Sequence, residues 1–78
     1  MIDSSKNSSF LKFRKNLGEN VQKLRKAKGL SQEELASLVG IDRVAIGYIE
    51  QGIRSPKLET IFFIAKALKV KPKDLFDF

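Results

Sequence analysis

Two short stretches with helical spacing, joined by no more than a tight turn, restrict this chain more than any other feature. The first, "SQEELASLVG", opens with Ser31 three residues before Glu34, the spacing of a capping box. Glu33 and Glu34 then suit the positive end of a helix dipole. Leu35, Leu38 and Val39 supply a short inward stripe, and Gly40 ends the segment. The second, "IDRVAIGYIEQG", starts from Asp42 as cap, with Ile41 and Ile46 at the positions of a hydrophobic staple, and Gly52 closes it. Ala36 stands where the two helices must pass closely. Leu35, Val39, Ile41, Ile46 and Ile49 then hold the pair at a steep angle.

The rest of the chain extends the helical pattern. Residues 1–9, "MIDSSKNSS", have little to bury and read as a flexible arm, with Ser8 or Ser9 available as a cap. Residues 10–78 form the folded domain. Phe10, Phe13, Leu17, Val21 and Leu24 recur at three- and four-residue steps up to Lys28, and Gly29 stands as the C-terminal glycine. In "SPKLETIFFIAKALKV", Ser55 is the expected cap and Pro56 the first helical residue, with Leu58, Ile61, Ala65 and Leu68 along one face. Pro72 breaks the chain, and "DLFDF" permits one last turn. No strand-period alternation or internal repeat is present, so the expectation is an all-α, compact bundle of five helices.

With 78 residues and neither cysteine nor histidine, the fold must be held by packing alone. The same absences exclude Ser-His-Asp, Cys-His and His-ligated zinc chemistry, and the nine acidic residues are scattered. The expectation is therefore no enzyme, no metal and no cofactor. No apolar run approaches bilayer length and the N-terminus is not a secretory signal, which points to a cytoplasmic protein without membrane association. The formal charge of +6 favours a polyanionic partner or an acidic membrane surface, and composition does not choose between them.

The outer face of the segment from Asp42 to Gln51 poses the functional question. It carries Arg43, Val44, Gly47, Tyr48 and Gln51, where a solvated helix would carry Glu and Lys. A glycine in the middle costs about 1 kcal/mol against alanine.

The set "QEELASLVGIDRVAIGYIEQ", with the helices that flank it, resembles the phage-repressor-like (Cro/XRE-type) helix-turn-helix family, whose fold is the lambda-repressor-like DNA-binding domain. The resemblance covers roughly residues 12–76, with the motif helices at about 32–39 and 43–51. It implies that the third helix enters the major groove of duplex DNA. Arg43, Val44, Ala45, Gly47 and Tyr48 would then read bases. Arg43 suits a bidentate contact to guanine, Val44 and Ala45 a thymine methyl, and Gly47 a close backbone approach. Ser31, Gln32, Gln51, Arg54 and Lys57 match positions from which the family grips phosphates. Arg25 and Glu50 correspond to a structural ion pair between the first helix and the end of the third.

The aromatic excess near the C-terminus suggests association. Phe62, Phe63, Leu75, Phe76 and Phe78 form the expected homodimer surface, unless the terminal segment folds back over Phe63. Together these readings describe a transcriptional regulator binding an inverted repeat as a homodimer, with RNA polymerase as a further partner. The alternative is an antitoxin or adaptor that binds protein chiefly and DNA for autoregulation. Within the family, the compact length and the "IDR" start are similar to controller proteins of restriction–modification systems. Val44-Ala45 and Gly47-Tyr48 depart from that pattern, so no operator sequence carries over.

Overall fold

A computed structural model describes residues 4–78, with side chains from residue 7 onward. Residues 1–3 of the expected arm lie outside it. Among the described residues the chain forms four α-helices and a 3-10 helix, and no strand. Helix α1 spans Ser4–Ala27, α2 Gln32–Val39, α3 Arg43–Glu50 and α4 Leu58–Leu68, and the 3-10 helix spans Pro72–Phe76. The all-α expectation holds with four α-helices in place of five, and the last turn, expected over residues 74–78 after a break at Pro72, is a 3-10 helix that begins at Pro72.

Helix α1 starts well before the apolar stripe. Ser8 and Ser9 are inside it and cap nothing, and residues 4–9 of the expected arm are helical. With neither glycine nor proline between Ser4 and Leu17, adding residues to a formed helix is cheaper than starting one. Leu17 and Val21 are buried and Leu24 packs on the core, whereas Phe10 and Phe13 remain about half exposed.

Helices α2 and α3 take the bounds their caps dictate. Ser31 Oγ accepts from the Glu34 N–H at 3.0 Å and the Ser31 N–H donates to Glu34 Oε1 at 2.8 Å, completing the capping box. Gly40 turns the chain at φ 88°, a conformation glycine adopts without strain. Asp42 caps α3 by accepting from the Ala45 N–H at 2.7 Å. Leu35 and Ala36 face inward on α2, but Leu38 points outward and is 61% exposed. One eight-residue helix wedged between α3 and α4 has only two turns to bury, and Leu35, Ala36 and Val39 fill them.

Two expectations for α4 are corrected. Its N-cap is Lys57, with extended backbone (φ −68°, ψ 159°), so Ser55 is not the cap and Pro56 precedes the helix. Proline at φ near −65° suits extended chain as well as a first helical turn, so the Ser-Pro pair does not distinguish them. The inward face is Ile61, Ile64, Ala65 and Leu68, and Leu58 is 83% exposed. The segment is apolar enough to offer two stripes, and contact with α2 and the 3-10 helix selects the one containing Ile64. The 3-10 helix buries Leu75 completely, and Asn20 of α1 ties it down by donating to the carbonyls of Asp74 (2.9 Å) and Leu75 (2.7 Å).

Candidate nucleic-acid interface

The amphipathicity of α3 sets what the site can touch. Ile46 and Ile49 are buried on one side, and Arg43, Val44, Tyr48 and Gln51 are exposed on the other, with Ala45 between them. The single acid within the helix, Glu50, is turned inward and neutralised. Arg25 Nε and Nη2 donate to its two oxygens at 2.6 and 3.0 Å, and Arg25 Nη1 donates to the Leu30 carbonyl at 2.7 Å. This joins the two residues expected as a structural ion pair and links α1 to the end of α3. The outer face is thereby left without a negative charge of its own.

Gln32, at the first position of α2, belongs to the same network. Its Nε2 donates to Glu50 Oε1 at 3.0 Å, and Gln22 Nε2 approaches the same oxygen at 3.4 Å. A carboxamide nitrogen carries two protons, so one donor of Gln32 remains beyond the Glu50 bond. No buried side-chain nitrogen or oxygen among the described residues lacks a partner.

Gly47, expected on the outer face, is buried between Gln32 and Gln51, whose side chains flank it. A Cβ placed there would meet only Gln32 Oε1 and Gln51 Nε2, each at 3.9 Å, which is ordinary van der Waals contact. Crowding against α2 therefore does not explain the glycine. Tyr48 is 38% exposed, and the Arg54 guanidinium sits over its ring at 5.1 Å. The Ile53 N–H donates to the Tyr48 carbonyl at 2.9 Å, folding the loop after α3 back toward the exposed face. Lys57 is exposed at the far end of that loop. Ser31 and Glu34 occupy one another at the start of α2. The Ser31 backbone N–H, and then its hydroxyl, hold the Glu34 carboxyl below its ordinary value of 4.5.

Gly18 and Arg14, which position this face, escaped the sequence reading. A Cβ on Gly18 would collide with the backbone carbonyl oxygens of Ile49 and Glu50, so α1 can cross the end of α3 only over a glycine. Arg14 Nε donates to the Gly52 carbonyl at 2.7 Å, fixing the turn that follows α3. The signal for Gly18 was present: a glycine inside an amphipathic helix needs a reason.

The expected association surface is rearranged. Leu75 is core and cannot contribute to it. Phe76 and Phe78 pack against Phe13 of α1, with ring centroids 6.0 and 5.6 Å apart, so the terminal segment folds onto Phe13 and leaves Phe63 half exposed. Phe62 and Phe63 meet edge to face at 5.2 Å. Exposed Leu58 borders both groups, lining one shallow groove with Phe62 and another with Phe13 and Phe76. No helix among the described residues is long and apolar enough to cross a membrane.

Comparison with known proteins places this geometry in context. A family profile described as helix-turn-helix matches residues 21–75. Control protein C.BamHI of Bacillus amyloliquefaciens is 45% identical over 62 residues, spanning 78% of this chain and 76% of its own. Control protein C.SmaI of Serratia marcescens is 41% identical over 59 residues, spanning 76% and 70%. Among solved structures, the restriction-modification controller protein C.AhdI from Aeromonas hydrophila superposes with a TM-score of 0.78 at 45% identity, covering 80% of this chain and 94% of that one.

Proposed function

Because the chain belongs to the Cro/XRE-type helix-turn-helix family, we propose that it is a transcriptional regulator that reads duplex DNA through the outer face of α3. The observation that carries this reading is the composition of that face. Arg43, Val44 and Tyr48 are exposed on a helix whose one acid is buried against Arg25, and Gly47 has no steric reason inside the chain. Arg43 reads guanine in the major groove, at about 1–3 kcal/mol of discrimination. Val44 and Ala45 contact thymine methyls, and Gly47 lets the helix backbone approach the bases. Tyr48, held under Arg54, reaches a base or phosphate. The second N–H of Gln32, the α2 N-terminus at Ser31, and Gln51, Arg54 and Lys57 hold the phosphate backbone.

Two copies act together, on the surface formed by Phe62, Phe63, Phe76 and Phe78 with Leu58 added. The paired α3 helices then enter successive major grooves about 34 Å apart on an inverted repeat. The likeness to two control proteins and to a restriction-modification controller supports a controller role in such a system, in the cytoplasm where its DNA is. A dimer on its operator either blocks RNA polymerase or touches it.

Selection from a random duplex library with the purified protein, beside Arg43→Ala, tests this. The expected result is an enriched inverted repeat, with information lost at one base pair per half-site in the variant. Binding without a motif, unchanged by the substitution, overturns it.

A further inference from the structure

Away from α3, the ends of α2 and α4 enclose an open groove whose floor is Leu30, Leu38 and Phe63 and whose rim is Lys28, Lys66 and Lys69. Among the described residues, no acidic one lines it. Its volume of about 660 Å³ has room for several side chains of a partner. Leu38 is 61% and Phe63 45% exposed, although both stand on helices that bury other apolar residues completely. A purely solvated face would not pair such a floor with such a rim.

The backbone adds an independent observation. Lys69 ends α4 at φ 58°, the only non-glycine residue among those described with a positive φ. The position accepts glycine without strain and is the ordinary place for one. A lysine there accepts backbone strain and, in return, sets a cation on the groove's edge.

We propose that this groove docks an acidic amphipathic segment of a partner protein, its apolar residues on Leu38 and Phe63 and its carboxylates against Lys28, Lys66 and Lys69. The occupant follows from charge complementarity: three cations around an apolar floor select a segment that carries both features. The site is separate from the α3 face and does not depend on its reading of DNA, but it shares Phe63 with the proposed pairing surface, so the segment docks on a copy whose Phe63 its partner leaves uncovered.

The test is titration of the isotope-labelled chain with a synthetic helical peptide bearing Leu and Phe on one face and Glu on the other. Amide shifts should centre on Leu38, Phe63 and Ala67. Replacing the peptide's Glu by Gln should weaken binding about tenfold, and Leu38→Ser, at an exposed position, by a similar factor. Lys69→Gly should weaken it several-fold while the melting temperature holds or rises, which separates docking from folding. The proposal is overturned by shifts centred on α3 or on Leu58 and Phe62, or by equal binding of the Gln peptide. Absence of shifts at about 1 mM peptide overturns it too. Random-sequence duplex DNA that displaces the peptide would assign the lysines to phosphate and also overturn it.

Discussion

Gly18 and Gly47 each interrupt a helix where alanine would be better by about 1 kcal/mol, yet only one is explained within the chain. At Gly18 a methyl group would strike the backbone of α3, so the glycine is what lets α1 lie across Ile49 and Glu50. At Gly47 a methyl would have room. The same contrast holds for the regions around them. Across the α1–α3 junction the buried polar side chains have internal partners, from Arg25 and Glu50 to Arg14 on Gly52. On the outer face of α3, Arg43, Val44 and Tyr48 satisfy nothing in the core. Locally unfavourable residues that the fold accounts for belong to stability, and those it does not account for point to a partner.

The junction supplies the largest effects. Arg25→Ala strands a buried carboxylate that retains only the two glutamine amides, and should cost about 3–5 kcal/mol, read as a lower urea midpoint. Gly18→Ala should cost about 2–3 kcal/mol despite its gain in helix propensity, because the obstacle is backbone on a packed helix. A neutral Gly18→Ala would mean that α1 can shift without penalty, and the contrast between the two glycines would collapse.

How much of this was legible in the sequence depended on whether the deciding contact was local. The bounds of α2 and α3 were readable because Ser31–Glu34, Gly40 and Asp42 act within a turn of where they stand. The inward stripe of α4 was not, because Leu58 and Ile64 fit helical spacing equally well and distant elements choose between them. Leu75 is the sharpest case. It reads as one of several apolar tail residues, and Asn20 and Phe13, more than fifty positions earlier, hold the tail so that Leu75 enters the core. In the candidate interface, Arg43, Val44, Tyr48 and Gln51 could be named as outward from the period of α3, but Gly47, read as outward with them, is buried beside Gln32 and Gln51. The bond from Gln32 to Glu50 joins two helices and could not.

Gly47→Ala tests the other half of the comparison and should separate stability from binding. With both neighbours of the new Cβ at 3.9 Å, the helix should gain up to about 1 kcal/mol, seen as a higher melting temperature. Affinity for a selected operator should fall, because the added methyl holds the α3 backbone away from the bases. Higher stability with unchanged affinity would remove Gly47 from the reading surface and leave its presence without a reason.

The smallest effect concerns Glu34, at the edge where internally explained residues meet the face that would hold phosphate. Its carboxyl is held below 4.5 chiefly by the Ser31 backbone N–H and secondly by the Ser31 hydroxyl. The unfolded chain therefore takes up this proton more readily than the folded one, so acid favours unfolding. The contribution is fully present above about pH 4.5 and is lost as pH falls through the lowered value. Urea midpoints should drop less between about pH 6 and pH 3 in Glu34→Gln than in the native chain. The same substitution removes a negative charge beside the start of α2, so DNA should associate slightly faster at low salt. A stability change and a binding change of opposite sign would set Glu34 on the boundary between the two regions. Changes of the same sign would mean that the capping box also orders the DNA-contacting backbone, and that the division between fold and face is less sharp there than at the two glycines.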